Sequence, residues 1–146
     1  MAATNHDSGL DIRWNREIDL YHEKLVELAD KTLSKSRVEE IKRDLRLAQL
    51  GNLLGVAQES SGVAPVANWI QYQMGRRDTS RAWRQSNFGD DVLKDFSTIR
   101  GYAQEIVRNV YDQAEDPRQI QATHIALIRL YIGYLRRWFV ARGGQN

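Results

Sequence analysis

Apolar residues recur along this chain at the three- to four-residue spacing of amphipathic helices, and no segment shows the strict alternation of a β-strand. The first apolar stripe begins near Ile12 and comprises Ile18, Tyr21, Leu25 and Leu28. The second follows Ser36-Arg37-Val38-Glu39, which has the Ser-x-x-Glu spacing of a helix capping box. It predicts a single helix to about Gln58, with apolar positions at Val38, Ile41, Leu45, Ala48 and either Leu53 or Leu54.

Two more helices are predicted between residues 60 and 110. Ser60-Ser61-Gly62 interrupts the second helix, and Pro65 then suits the first turn of a third helix that ends near Met74. Residues 75–89 are polar and basic and form the least regular part of the sequence. Asp90-Asp91 places negative charge in the first turn of a fourth helix. The apolar positions of that helix are Val92, Leu93, Phe96, Ile99, Ala103, Ile106, Val107 and Val110.

The last helix is predicted to lie at the centre of the fold. Asp116 and Pro117 suit its N-cap and first helical position, and Gly143-Gly144 supplies a stop signal. Apolar residues occupy most of its sides, which is typical of a helix surrounded by others. They include Ile120, Ile125, Ile128, Tyr131, Leu135 and Trp138.

Together these patterns predict an all-α fold in which about five helices pack as a compact bundle. A chain of 146 residues is long enough to bury one core, so a single domain is expected over residues 12–142. Residues 1–11 are rich in small and polar side chains and are expected to form a flexible N-terminal tail. Residues 143–146 are expected to form a C-terminal tail.

Composition excludes several classes of protein. The absence of Cys excludes disulfide scaffolds, thiolate metal sites and cysteine nucleophiles. Met1–Leu10 is polar and lacks the basic-then-apolar order of a signal peptide. The most apolar stretch, Ile125–Val140, is interrupted by three arginines, so no membrane span is expected. A cytoplasmic location is expected because the absence of Cys fits a cytoplasmic protein.

No pattern in the sequence points to a metal or a cofactor. The three histidines (His6, His22 and His124) lie in different segments and lack the spacing of metal ligands. We interpret Asp90-Asp91-x3-Asp95 as negative charge at a helix start rather than as a Mg²⁺ site. There is no glycine-rich phosphate loop, nucleophile elbow or dinucleotide fingerprint. The expectation is therefore a protein without a cofactor or a bound metal.

The formal net charge of +2 conceals an uneven distribution. Residues 1–30 contain three basic and seven acidic side chains, a net charge of −4, whereas residues 31–146 contain eighteen and twelve, a net charge of +6. Of the 21 basic residues, 16 are Arg. Because a guanidinium presents a planar fork of donors to phosphate oxygens, this bias favours a surface that binds RNA or another phosphate.

The arginines of the basic part fall into three clusters. The first lies within residues 75–89, where Trp83 offers a stacking face for a base. The second lies on the last helix, which also carries Arg142 near its end, and the third lies on the second helix. The candidate RNA-binding residues are Arg76, Arg77, Arg81, Trp83 and Arg84, then Arg129, Arg136 and Arg137, and finally Lys42, Arg43 and Arg46. The alternative is a protein-interaction bundle whose arginines face solvent in local ion pairs, without nucleic-acid binding.

A second alternative is enzymatic. Arg118-x5-His124 has the spacing seen in small helical ribonucleases of the HEPN superfamily. By that resemblance, the Arg and the His would promote metal-independent RNA cleavage at a dimer interface, by assisting proton transfer and stabilising phosphate charge. The simpler interpretation is that His124, next to Ile125 on the central helix, is a half-buried packing residue.

The order of motifs resembles the small helical subunit of type III-A (Csm) CRISPR effector complexes. The resemblance rests on Leu45–Val56 followed by Ala67–Arg77, where an aromatic and apolar helix runs into the step Gly75-Arg76. The final aromatic helix of the family corresponds here to Ala126–Phe139. The resemblance covers roughly residues 40–142 in order and length.

The resemblance implies a non-catalytic subunit that stacks in several copies within a ribonucleoprotein. Its implied partners are the guide RNA, the target nucleic acid and the other subunits of the complex. Arg76, which matches the Gly-Arg step, is the first phosphate contact to test. Such contacts position a strand without reading its sequence, because guide pairing supplies the specificity. The acidic first helix is expected to meet either a basic neighbouring subunit or the chain's own basic face, which would favour head-to-tail stacking.

Overall fold

The structure is a computed structural model that describes residues 3–111 and 116–146, with side chains described from residue 9 onward. Over these ranges it contains α-helices and one short 3-10 turn, and no β-strand. The predicted all-α bundle is therefore confirmed. The helices are α1 (Ala3–Leu20), α2 (His22–Thr32), α3 (Lys35–Ile41), α4 (Leu47–Glu59), α5 (Ala64–Gly75), α6 (Ser80–Arg84), α7 (Phe88–Tyr111) and α8 (Pro117–Ala141), with the 3-10 turn Gln85–Asn87 between α6 and α7.

Helix α8 lies at the centre of the bundle, as its apolar pattern predicted. It packs against α2, α4 and α7. Its start also follows the prediction, because the Asp116 side chain accepts a hydrogen bond from the Arg118 N–H at 3.0 Å and Pro117 occupies the first turn. No helix in the described part of the chain is long and apolar enough to cross a membrane.

Helix α8 ends at Ala141 and is followed by Gly143, whose φ of 97° is a left-handed conformation that favours glycine. The N–H groups of Gly143 and Gly144 return to the carbonyls of Val140 and Phe139, at 3.1 and 2.8 Å, which is the hydrogen-bond pattern of a Schellman motif. The chain then crosses to α4, where the Leu47 N–H donates to the carbonyl of Gln145 at 2.9 Å. The end of α8 is thereby joined to the start of α4.

The first predicted helix is divided in the structure. Helix α1 begins at Ala3, within the segment expected as a tail, and α2 follows it after Tyr21. Helix α1 packs against α7, where the Arg13 guanidinium donates to the carbonyl of Asn109 at 2.8 Å. The acidic N-terminal part of the chain is thus built onto the body of the bundle.

The second predicted helix is wrong in two respects. Its N-cap is Ser34, whose hydroxyl accepts from the Arg37 N–H at 3.3 Å, so Ser36 lies inside α3 and forms no capping box. The helix also ends at Ile41, and the chain turns before α4 begins. The reason lies in the spacing of the core residues: Leu45 and Leu50 are both buried, but five residues on one helix place them about 140° apart. The turn brings both side chains to the same core.

Residues 75–89 are more ordered than the sequence suggested, because they form α6 and the 3-10 turn. Ser86 and Asn87 adopt positive φ values of 55° and 60° where the chain enters α7. Arg37 braces this junction, since its guanidinium donates to the Ser86 carbonyl at 3.0 Å and to the Asp91 carboxylate at 2.6 Å. The chain conformation here depends on a side chain from a distant helix.

Candidate nucleic-acid interface

Two arginines of the second cluster have structural partners. The half-buried Arg129 donates through Nε to the Ala57 carbonyl at 2.9 Å and through Nη2 to the Ser60 carbonyl at 2.8 Å. It therefore satisfies carbonyl groups at the C-terminal end of α4, where a helix has no N–H donors for them. Arg142 donates to the carbonyls of Asp30 and Leu33 and lies over the Trp138 ring. The prediction that Arg129 contacts RNA does not fit this geometry, because its Nε and Nη2 groups already have internal acceptors.

Trp83 is not available to stack on a base. Its side chain is fully buried, with 0% exposure, between Trp69 and Phe88. The Trp69 ring packs edge-on against the Trp83 ring with 5.6 Å between the ring centroids, and the Phe88 ring stacks on it with 5.5 Å between the centroids. The sequence-based assignment of Trp83 to RNA binding is wrong for a physical reason: α6 turns the indole inward and fills the core beneath α5 and α7.

Arg136 and Arg137 lie in a groove between α4 and α8. This groove encloses about 610 Å³, and its apolar lining consists of Leu47, Leu54, Gly133, Val140 and Ala141. The Arg136 guanidinium lies against Gly51 of α4, where an added Cβ would be 3.9 Å from Nη2. The Nε of Arg136 is buried and has no hydrogen-bond partner among the described residues.

Lys42, Arg43 and Arg46 line a second groove at the turn between α3 and α4. It encloses about 280 Å³ and is also lined by Glu39 and by residues that follow α8. Lys42 pairs with Glu39 at 3.2 Å, whereas Arg43 and Arg46 have no acidic partner within the described ranges. Both arginines are exposed.

The structure brings these two clusters to the same end of the molecule. A Cβ at Gly143, directly after α8, would lie 3.7 Å from the Lys42 Nζ, and the Leu47 N–H bonds to the Gln145 carbonyl. The two cavities share no lining residue but lie next to each other around the start of α4, where Arg46 lines one and Leu47 lines the other. We call this surface the basic groove and define it by Lys42, Arg43, Arg46, Arg136 and Arg137.

The first cluster is exposed and lies beside the third. The side chains of Arg76, Arg77, Arg81 and Arg84 are all at the surface. Arg76 pairs loosely with Asp78 at 3.8 Å, and Arg84 Nε donates to the Met74 carbonyl at 2.5 Å. Gln85, which follows Arg84, donates to the Glu40 carbonyl at 2.9 Å. This contact places the end of α6 against the end of α3, two residues before Lys42.

The residues of the predicted ribonuclease pair have different surroundings. His124 is 8% exposed, and its Nε2 lies 2.9 Å from the Phe96 carbonyl, to which it donates. Burial lowers the pKa of His124 below its usual range, which favours the neutral ring. Arg118 is exposed at the start of α8 and is not among the residues that line the cavity beside His124, whereas Arg100 is. Within the described ranges, no three His, Asp or Glu side chains are placed to hold a metal ion.

Sequence reasoning did not identify the apolar part of the basic groove or the position of Arg100 at the cavity beside His124. Leu47 and Leu54 are seven residues apart on α4 and so share a face, and this spacing is the signal that was present. Val140 is 52% exposed although it belongs to the most apolar stretch of the chain. Arg100 lies outside every arginine cluster, so only its position in the fold reveals it.

Comparison with known proteins finds no match for this chain among protein-family models, curated proteins or solved structures.

Proposed function

We propose that this chain is a non-catalytic subunit of a CRISPR RNA-guided ribonucleoprotein and binds the backbone of guide or target RNA in its basic groove. The observation that carries the RNA-binding part is the state of the groove arginines. Arg137 and Arg43 are exposed on either side of the start of α4, and neither has an ion-pair partner among the described residues. Donors in this state suit phosphate oxygens.

Contact with the RNA backbone is favoured over base reading. The groove offers guanidinium and ammonium groups, which pair with phosphates irrespective of sequence. Its apolar lining at Leu47, Leu54 and Val140 suits the non-polar face of a ribose. With Trp83 in the core, the first cluster supplies charge rather than a stacking platform.

The assignment to a CRISPR complex rests on the sequence resemblance. Arg76, the residue of the Gly-Arg step, is exposed at the end of α5 and pairs only loosely with Asp78, which leaves it accessible to a phosphate. Its neighbours Arg77 and Arg81 have no ion-pair partner in the part of the chain that the structure describes. They extend the positive surface next to the basic groove.

Fluorescence anisotropy with short labelled single-stranded RNA tests the binding site. The double variant Arg43→Gln with Arg137→Gln removes two exposed charges from the basic groove and is expected to weaken binding about tenfold or more. The matched control, Arg16→Gln with Arg108→Gln, removes two exposed charges from α1 and α7 and is expected to bind as the unaltered chain does. Equal weakening of the two variants would show that only total charge matters and would overturn the groove as the site.

The double variant Arg76→Ala with Arg81→Ala tests the contribution of the first cluster. Because these exposed side chains belong to the cluster whose end at α6 contacts α3, their loss is expected to weaken RNA binding while the circular dichroism spectrum stays helical. Unchanged affinity in this folded variant would remove the first cluster from the interface.

The RNA itself is expected to remain intact during incubation, and cleavage that is lost in His124→Ala would contradict the non-catalytic assignment.

The assembly is tested separately by purifying the tagged chain from its native host. We expect short RNA and larger protein subunits to accompany it. Recovery of the chain alone, when the purified protein nevertheless binds RNA, would overturn the CRISPR assignment and leave the RNA-binding surface in place.

A further inference from the structure

A separate cavity of about 440 Å³ lies where the N-terminal ends of α5 and α8 meet the middle of α7. Its size falls within the range of small-molecule sites. Val63, Ala64, Pro65, Pro117 and Ile120 give it apolar walls, and the polar groups that line it include Arg100 and His124. No acidic residue is among its described lining residues.

The position of His124 gives this cavity a defined polar group. The ring is more than nine-tenths buried and lines the cavity, and its Nε2 donates to the Phe96 carbonyl. In the neutral ring Nδ1 is consequently a hydrogen-bond acceptor, and it has no partner among the described residues. It can accept from a hydroxyl or amine of a ligand.

Arg100 supplies the positive charge of the cavity. Its side chain is exposed on α7 and has no ion-pair partner within the described ranges, yet its charge is close enough to act on the His124 ring. The α5 N-terminus adds to this positive field, because its N-cap residue Val63 offers no side-chain hydrogen bond to the first turn. An anionic group beside Arg100 would therefore be stabilised by two independent sources.

The cavity wall is held in a fixed form. Gln121 Nε2 donates to the Ser61 carbonyl at 3.2 Å, which ties the loop before α5 to α8. Gly62 makes this approach possible, because a Cβ at this position would lie only 2.7 Å from Gln121 Nε2. The two helix ends and the loop between α4 and α5 thus enclose a preformed site.

We propose that this cavity binds a nucleoside monophosphate group. The phosphate would lie at Arg100, and a ribose hydroxyl or base amine would donate a hydrogen bond to His124 Nδ1. The rest of the nucleotide would pack against the apolar walls of the cavity. The same chemistry is available from a free nucleotide or from the phosphorylated end of an RNA strand. The site stands apart from the basic groove, because Gln121 and Arg136 are separated by about 22 Å along α8. If the cavity does not bind nucleotides, the assignment of RNA binding to the basic groove is unaffected.

Isothermal titration with the four ribonucleoside monophosphates and the matching nucleosides tests the site. Saturable binding of a monophosphate is expected, with the nucleoside bound at least about tenfold more weakly. Arg100→Gln is expected to weaken monophosphate binding about tenfold, whereas Arg108→Gln, on the same helix but outside the cavity, is expected to leave it unchanged. Ala64→Trp, at an exposed position on the wall, is expected to block binding while the fold is kept.

Competition identifies the source of the ligand. Displacement of the bound nucleotide by RNA with a phosphorylated end, but not by RNA with hydroxyl ends, would assign the site to a strand terminus. Failure of both RNAs to displace it would assign the site to free nucleotides, and either result supports the proposal. Absence of saturable monophosphate binding by the unaltered chain, or equal affinity in Arg100→Gln, would overturn it.

Discussion

Arg129 and Arg137 lie eight residues apart on α8, yet their guanidinium groups meet opposite environments. Arg129 is half-buried and closes the end of α4 through two carbonyl oxygens. Arg137 is exposed in the basic groove and lies 5.6 Å from the Tyr134 ring. The sequence places both in one cluster, because the carbonyl partners of Arg129 are 72 and 69 residues away along the chain and give no local signal.

This difference predicts that two matched variants differ in their free energy of unfolding. Arg129→Met is expected to lower the free energy of unfolding by about 1–3 kcal/mol, since it leaves the Ala57 and Ser60 carbonyls without their partner. Arg137→Met is expected to change it by less than about 0.5 kcal/mol. Urea denaturation followed by circular dichroism measures both values. Equal stability losses in the two variants would contradict the structural role given to Arg129.

Asp95 shows a second residue whose role the sequence conceals. In the sequence it belongs to an acidic helix start, but in the structure it is buried and accepts hydrogen bonds from the hydroxyls of Thr32 and Tyr131. Burial raises the pKa of the Asp95 carboxyl above its ordinary value of 3.8. Its neighbour Asp91 instead pairs with Arg37.

The raised pKa of Asp95 predicts a pH dependence of stability. A folded-state pKa above the unfolded one gives stability that is present at pH values below 3.8 and is lost as the pH rises through the folded pKa. Asp95→Asn should lack this loss, so its stability relative to the unaltered chain should increase as the pH rises from acid to neutral. Unfolding experiments across that range test the sign, and a constant difference would contradict it.

A second variant separates charge from hydrogen bonding at the same position. Asp95→Leu is expected to lower the free energy of unfolding by about 2 kcal/mol or more, because the Thr32 and Tyr131 hydroxyls lose their acceptor in the core. Stability equal to that of Asp95→Asn would show that the hydrogen bonds contribute little.

Among the elements, the helices with one continuous apolar stripe were predictable and the junctions were not. Helices α5, α7 and α8 follow the predicted starts closely, since proline, acidic first turns and caps are local signals. The α3–α4 turn and helix α6 depend on tertiary contacts instead. Arg37 from α3 holds the chain at Ser86, and burial of the Trp83 side chain fixes α6.

The junction before α7 predicts a stabilising substitution. Ser86 has a φ of 55°, a conformation that costs most residues about 1–2 kcal/mol and glycine almost nothing. Its carbonyl accepts from Arg37, and that bond is retained in any substitution of the side chain. Ser86→Gly is therefore expected to raise the free energy of unfolding by up to about 1 kcal/mol.

Ser97→Gly is the matched control for this substitution. Ser97 is exposed in the interior of α7, where glycine is unfavourable, so a loss of about 0.5 kcal/mol is expected. Thermal unfolding of the two variants measures the contrast. Destabilisation by Ser86→Gly equal to that by Ser97→Gly would contradict the strained conformation at the junction.

For the whole molecule, the fold class followed from helical periodicity, whereas the candidate site emerged from packing. Two arginine clusters about ninety residues apart in sequence meet because the end of α8 returns to the start of α4. The clustering of basic residues in the sequence identified these arginines but did not show which clusters meet. The sequence also assigned Trp83 to the RNA-binding surface, although its side chain lies in the core. The positive charge of residues 31–146 is thus concentrated partly in the basic groove and partly in the first cluster.

The salt dependence of RNA affinity shows whether the basic groove contacts RNA phosphates. Each phosphate neutralised on a single strand contributes about −0.7 to the slope of log affinity against log salt concentration. Arg43→Gln with Arg137→Gln should therefore make the slope less steep by about 1.4, while Arg16→Gln with Arg108→Gln should leave it unchanged. Identical slopes for the unaltered chain and the groove variant would contradict contact between the basic groove and RNA phosphates.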